Sequence, residues 1–413
     1  MGLYLKGIAQ LATFTTKDRV NLKILEQANV AINKDGIIEN ISQGFEIVDT
    51  SLYQVIDCQG KTLIPAFIDG HTHPIWAGDR IDEWKAKING ATYEEIHKMG
   101  GGIQFTVRNT RNASNEALLS LLLARLNQMS RYGTVTAEVK TGYGLSYDEE
   151  LRLLRLLNQA AEICKDFINL SITYCGAHSI PLDCTQEEAV KDILERQLPE
   201  IKKRIDCNQM KVHNIDVFCD CIAFDAESTE KILKAGNSIG LKANFHSDEI
   251  KAIGGTKIVR ELNSPSAVSH LEQLDDEGIE ALADSGSLAV VLPSTAYLLG
   301  LQPPPIEKLR KKSIKLVLGT DFNPNIYILS MPLVMHLAAT LYRMTLEECF
   351  AAATINAAES LNIQEYAGSI EIGKRADLLI IDSLRWENII YQFGCAERLI
   401  YATIKNGKLV NKQ

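Results

Sequence analysis

The chain has 413 residues, with 43 Lys plus Arg against 52 Asp plus Glu, a formal charge of −9 and a pI near 5.5. An acidic chain without a long Lys/Arg run excludes a nucleic-acid backbone or an anionic membrane surface as principal partner, so an anionic small molecule has to be met by local cations. With 46% hydrophobic and 23% charged residues the chain can bury a core unaided, and no run reaches the roughly 18 uninterrupted apolar residues of a membrane span. The start, Met1 to Asp18, lacks a basic region followed by a long apolar run. Nine cysteines, from Cys58 to Cys395, include no CxxC pair, and Cys219 and Cys221 flank Asp220 at a spacing that suits neither a redox motif nor a closed zinc site. Buried free thiols in a cytoplasmic protein are the expectation.

Residues 1 to 62 hold short β-like pieces, and Asn33-Lys34-Asp35-Gly36 reads as a hairpin turn. From 63 to 366, β-branched apolar runs alternate with stretches of helical period. The runs that read as strands are Leu63–Ile68, Thr134–Val139, Asn169–Tyr174, Asn214–Phe218, Leu241–Phe245, Ser266–Ser269, Leu288–Leu292 and Ile314–Leu318. Between them, Asn115–Arg131 reads as a helix started by Ser114 and stopped near Gly133. Asp148–Lys165 reads as another, with a capping box of Ser146 and Glu149. Eight strands with intervening helices over about 300 residues favour an α/β chain closed into a (β/α)8 TIM-like barrel over an open doubly wound sheet. The tail loses this rhythm: Gly368–Asp382 reads as two strands around a turn, and Lys405-Asn406-Gly407-Lys408 as a hairpin. Residues 1–62 and 367–413 are therefore expected to form one small β-sandwich domain beside a barrel over 63–366.

Eight histidines occur, and where they fall is informative. His71 and His73 follow the first strand; alternate side chains of an extended chain point the same way, so His-x-His aims two imidazoles at one point. His246 ends the fifth strand, His270 ends the sixth, and Asp321 follows the eighth. In a barrel the carboxyl ends of all strands surround one mouth, where residues far apart in sequence converge. These donors point to one divalent ion, zinc or iron, held by His71, His73, His246 and Asp321 with a water completing the shell. The fourth strand ends Phe218-Cys219-Asp220 without a lysine, which argues against a carbamate-bridged metal pair; Lys140 reads as an ion-pair partner of Glu138 or its neighbours. A metal-bound water reaches a pKa of about 7 and is hydroxide at neutral pH. Glu249, three residues beyond His246, is placed to shuttle protons, and His270, not needed as a ligand, to orient the water or polarise a carbonyl. His97 and His213 have no part in this scheme, and His336 reads as a core histidine.

Longer segments narrow the reading. They are His71-Thr72-His73-Pro74-Ile75-Trp76-Ala77-Gly78-Asp79-Arg80, Gly100-Gly101-Gly102-Ile103-Gln104-Phe105-Thr106-Val107-Arg108, Glu138-Val139-Lys140-Thr141-Gly142-Tyr143-Gly144-Leu145, Cys175-Gly176-Ala177-His178-Ser179-Ile180-Pro181 and Thr320-Asp321-Phe322-Asn323-Pro324-Asn325. On these, and over nearly its whole length, the chain resembles the amidohydrolase superfamily and, within it, the imidazolonepropionase family of histidine degradation. The resemblance implies hydrolysis of the ring amide C–N bond of 4-imidazolone-5-propanoate to N-formimino-L-glutamate, with one Zn2+ or Fe2+/Fe3+ ion. It also implies a cytoplasmic homodimer acting on a small anionic substrate. The matching substrate contacts are Arg80, whose fork binds a carboxylate in bidentate fashion, with Tyr143, His178, Glu249, Asn323 and Asn325. The implied reaction has metal hydroxide attacking the ring carbonyl and His270 helping to stabilise the oxyanion. Asp321, Glu249 and His270 are all candidates for the first proton acceptor, and Glu249 hands a proton to the departing ring nitrogen. Gly100 to Gly102 lacks the Lys-Ser/Thr ending of a phosphate loop and reads as backbone flexibility beside the ring.

Two positions depart from the pattern. Asn325 stands where many members have glycine; it can adopt a positive φ but adds bulk. Ser247 stands where many have alanine. Two other readings compete. A purine or pyrimidine ring deaminase of the same superfamily would share the histidines, Glu249 and Asp321, but gives Arg80 and Tyr143 no carboxylate to bind. A non-catalytic scaffold would be free to lose ligands, and none is missing.

Overall fold

A computed structural model describes residues 1–44, 50–90 and 101–412. Eight parallel strands follow one another in chain order through one sheet: β6 (Phe67–Asp69), β7 (Thr134–Lys140), β8 (Asn169–Ala177), β9 (Asn214–Cys219), β10 (Lys242–Ser247), β11 (Ala267–His270), β12 (Leu288–Val291) and β13 (Leu316–Leu318). The sheet closes on itself, because Gly70 N donates to Leu318 O at 3.1 Å, Asp321 N to His71 O at 3.0 Å and His73 N to Phe322 O at 2.8 Å. β6, β7 and β9 to β13 are buried at every residue, as strands covered on both faces must be. This is the expected (β/α)8 barrel.

The first expected strand divides. Thr62–Pro65 forms β5, which pairs with β1 (Gly2–Thr13) and β14 (Leu378–Ile381), and the chain enters the barrel at Ala66 and not at Leu63. Pro65 has no N–H to extend a ladder, so the small sheet ends there. Ser114 caps the helix Asn115–Arg131 by accepting from Ala117 N at 3.2 Å. The capping box expected at Ser146 does not form. The helix Tyr147–Cys164 begins without a side-chain cap, Glu149 pairs with Arg152, and Glu150 turns back to accept from Gly144 N and Leu145 N, each at 2.8 Å.

Both termini contribute to the small domain, whose strands form one hydrogen-bonded sheet in the order β16 (Lys408–Lys412), β15 (Ile400–Lys405), β14, β5, β1, β2 (Lys23–Ile32) and β3 (Ile38–Gln43), with β4 (Tyr53–Asp57) also paired to β1. The turn at Asn33–Gly36 joins β2 to antiparallel β3, and Asn406-Gly407 joins β15 to β16. Of the two strands expected in Gly368–Asp382, only β14 forms. The residues before it run as turns around the buried Lys374 ammonium, which donates to Gln364 O at 2.5 Å and Ser369 Oγ at 2.7 Å. Leu5, Ile8, Val30, Leu378 and Ile404 lie in a core separate from that of the barrel. All nine cysteines are free; five are buried as expected, Cys184 is half-buried, and Cys207, Cys221 and Cys395 are exposed against that expectation. Among the described residues no helix is long and apolar enough to cross a membrane.

The two hairpin turns pack glycine on glycine. Gly407 has φ +71°, and a Cβ built on it would lie 2.2 Å from the Gly36 Cα. Gly407→Ala should therefore cost about 1–3 kcal/mol, read as a lower urea midpoint with unchanged metal content.

Candidate active site

The barrel mouth gathers the residues that the sequence singles out. His71 Nε2 lies 3.2 Å from His73 Nε2, which lies 3.2 Å from His246 Nε2. Asp321 Oδ1 is 3.6 Å from His71 Nε2 and 3.9 Å from His73 Nε2. All four side chains are buried, and burial holds the three imidazoles well below their usual pKa, so they are neutral. Neutral nitrogens packed this closely turn lone pairs toward one another unless a cation lies between them, and three imidazoles with a carboxylate are a fitting donor set for zinc or iron.

The second layer fixes how the donors point. His71 Nδ1 pairs with Ser269 Oγ at 2.8 Å and His246 Nδ1 with Asp216 Oδ1 at 2.9 Å, which directs each Nε2 to the common point. Asp69 accepts from His71 N at 3.3 Å and from Thr320 N and Oγ1 at 2.9 and 2.7 Å, so one carboxyl ties the end of β6 to the end of β13. Asp321, with φ +48°, accepts at Oδ2 from Thr295 Oγ1 at 2.5 Å. Burial pushes its carboxyl up to about 6, against the hydrogen bonds from Thr295 and Asn323. Beneath His246, Lys140 Nζ lies 2.6 Å from Asp216 Oδ2 and 2.9 Å from Glu138 Oε2. Burial alone would lower this lysine, but the two carboxylates outweigh it and hold the ammonium charged.

A cavity of about 120 Å³ opens onto this cluster, lined by His73, His246, His270, Glu249 and Asp321 and by Arg80, Tyr143, His178, Asn323 and Asn325. Every residue singled out from the sequence lines it except His71, which sits behind. His178 stacks on His73 with ring centroids 4.6 Å apart, and its Nδ1 is 3.0 Å from Gly142 O. Burial, with His246 beside it, lowers its pKa to about 3. Burial, then Asp321 and Asp220, raise Glu249 to about 8.

Three details differ from the sequence reading. Arg80 does not stand free: its Nε donates to Glu83 Oε2 at 2.7 Å and its Nη2 to Glu83 Oε1. Asn325 keeps a negative φ and accepts from Lys87 Nζ at 2.7 Å, which links the loop after β13 to the helix Ile81–Ile88. His336 is half-buried against Phe393 and not in the core. His213 is structural, accepting from Ile172 N at 2.9 Å, while His97 and Gly100 lie outside the described residues. Gly102, with φ +74°, donates from its N–H to Glu83 Oε2 at 2.9 Å. The sequence reading missed Asp216 and Glu83. The first could have been seen as an acid in the apolar run Asn214–Phe218; the second had no sign beyond standing three residues after Arg80.

The amidohydrolase family model matches residues 211–410. A protein of Danio rerio named "Probable imidazolonepropionase" is 45% identical over 403 residues, covering 96% of this chain and 92% of the relative. One of the same name from Homo sapiens is 45% identical over 404 residues, covering 97% and 94%. Among solved structures, an adenosine deaminase from Xanthomonas campestris with bound zinc superposes with a TM-score of 0.75 at 15% identity, covering 100% of this chain and 93% of that one. Escherichia coli guanine deaminase gives 0.73 at 17%, covering 100% and 99%; these two show a shared fold.

Lys140→Met would leave Glu138 and Asp216 buried without their cation, and a loss of about 3–5 kcal/mol is expected in a urea titration. A loss below about 1 kcal/mol would mean that the two acids are held by their other hydrogen bonds.

Proposed function

The chain belongs to the imidazolonepropionase family of the amidohydrolases, and from that premise we propose that it hydrolyses 4-imidazolone-5-propanoate to N-formimino-L-glutamate as a cytosolic, homodimeric enzyme. The observation that carries this reading is a single cavity that holds both a buried metal-ligand cluster and Arg80, a cation suited to a carboxylate. A ring deaminase would have no carboxylate to offer Arg80. Nine free thiols fit a reducing compartment.

His71, His73, His246 and Asp321 would hold the ion, zinc or iron. Bound there, it supplies a Lewis acid that acidifies water and polarises a carbonyl. The protein's own groups do the rest. Glu83 holds the Nε/Nη2 edge of Arg80, so the propanoate is taken by the remaining edge of the fork, with Tyr143, His178, Asn323 and Asn325 as neighbouring contacts. Water adds its oxygen to the ring carbonyl carbon and gives its proton to Asp321. The C–N bond then breaks, and Glu249 protonates the departing ring nitrogen. Its raised pKa suits that task, because at neutral pH it still carries the proton it must deliver. His270 faces Glu249 through Nε2 at 3.6 Å; it orients the water or polarises the carbonyl, depending on which nitrogen bears its hydrogen.

The deciding experiment incubates metal-loaded protein with freshly generated 4-imidazolone-5-propanoate and follows the ring chromophore. Fast, chelator-sensitive loss with formation of formiminoglutamate is expected. No acceleration in protein holding about one metal per chain would turn the reading to the deaminase, with ammonia release as its assay. Glu249→Gln should keep the metal and lower kcat by about 10²-fold or more; unchanged turnover would remove Glu249 from the reaction. In the wild type, kcat should decline as pH rises through about 8, because the acid that must hold a proton loses it there.

A further inference from the structure

The reaction above asks Glu249 to deliver a proton to one atom, yet among the described residues its carboxyl makes no hydrogen bond of its own. Its contact with His270 Nε2, at 3.6 Å, is too long to be one. A side chain that is not tied down directly points where its backbone sends it, so what aims Glu249 has to be sought in the turn that carries it.

That turn is held on both sides of Glu249. Before it, Asp248 lies in the left-handed region with φ +56°, its carbonyl accepting from Gln273 N at 2.7 Å and its Oδ2 from Thr256 Oγ1 at 2.5 Å. After it, Ile250 N and Lys251 N donate to Oδ2 of Asp220 at 2.9 and 3.3 Å. Asp220 is buried directly after β9 and is itself anchored, because its Oδ1 accepts from Cys221 N at 2.7 Å and its carbonyl from Ala223 N at 3.0 Å. Strands β9 and β10 run side by side, with Ser247 opposite Cys219. One strand thus carries two acids four residues apart: Asp216 holds the His246 ring, and Asp220 holds the turn beyond it.

We propose that Asp220 is a positioning residue for the proton donor: through the N–H groups of Ile250 and Lys251 it fixes the turn that aims the Glu249 carboxyl into the cavity. Bonds from backbone N–H groups to a carboxylate are stronger than bonds between neutral groups. The turn has little else to hold its outer half, since Ile250 is 43% exposed and Lys251 is exposed beside it. Freed of Asp220, that half can open and carry the carboxyl away from the ring nitrogen, and a displacement of about 1 Å can cost about 10²-fold in rate.

The kinetic part of the test rests on the proposed role of Glu249 in hydrolysis; the exchange part does not. In the zinc-loaded full chain, Asp220→Ala should keep its metal and melt close to wild type, because the turn is at the surface and water can meet the freed N–H groups. Amide exchange at Ile250 and Lys251, read by mass spectrometry on a peptide spanning 248–254, should quicken by about 10-fold or more. With it, kcat should fall by about 10–100-fold. Asp220→Asn, whose side-chain oxygen can still accept from both N–H groups, should recover most of the protection and most of kcat. Added to Glu249→Gln, Asp220→Ala should change kcat by less than about twofold, because its effect passes through the group already removed. The proposal is overturned by an Ala variant in which either exchange or turnover stays at the wild-type value, or by an Asn variant no better than Ala. It is overturned equally by a loss that persists in the Glu249→Gln background, or by an Ala variant that unfolds early or loses its metal, which would make Asp220 a residue of the fold alone. If the wild type does not open the ring, the hydrolase reading fails, and the exchange data still decide whether Asp220 holds the turn.

Discussion

The ion triad of Lys140, Glu138 and Asp216 is the constraint on which the site rests. It places one ammonium and two carboxylates in the middle of a barrel core, where each charge alone would be costly, and resolves them by mutual contact. Asp216 serves twice: one oxygen meets Lys140, and the other accepts from His246. The orientation of the His246 imidazole on β10 is thereby fixed by a lysine on β7 through an acid on β9. With His246 held, the positions of His71 and His73 are constrained from the other side of the mouth by Asp69, which bonds across the closure between β6 and β13. A barrel that failed to close would therefore fail to assemble the cluster.

Much of this was legible in the sequence, for physical reasons. Strands buried on both faces read as continuous apolar runs, so seven of the eight barrel strands were recognisable in place, and polar residues at their carboxyl ends stood out against that background. Alternation made His71 and His73 converge. What was not legible came from contacts between segments distant in sequence. The first barrel strand looked like one run because Pro65 and Ala66 are apolar, although the chain changes sheets there. The box at Ser146 is absent because Glu149 pairs with Arg152, while Glu150 turns back to the donors of Gly144 and Leu145. The buried Lys374 ammonium is satisfied by two loop carbonyls and the Ser369 hydroxyl, and the residues around it run as turns where a strand was expected.

The Arg80 side of the cavity shows the same limit. Arg80 was singled out in the sequence as a candidate carboxylate contact, but its ion pair with Glu83, and the link from Lys87 to Asn325, depend on how the helix Ile81–Ile88 lies over the mouth. Asn325, read as a possible positive-φ residue, instead uses its side chain to join that helix to the loop after β13. Around the mouth the left-handed residues are instead Asp248, His270, Leu271 and Asp321, at strand ends or within three residues of them. Strand ends are where chain direction must change within a residue or two, and the mouth concentrates that cost around the chemistry.

The position of β5 also has a consequence for how the protein is made. This strand lies between β1, near the amino terminus, and β14, near the carboxyl terminus, and it continues through Ala66 into the first strand of the barrel. A ribosome delivers β1 and β5 before the barrel, but β14 only after all of it. During most of synthesis β5 therefore presents an unpaired edge with apolar residues on it, directly attached to the strand that bears His71 and His73. The small sheet acts as a clasp that closes only once β14 is present, so removal of β14 should be felt in the barrel and not only in the domain that is cut.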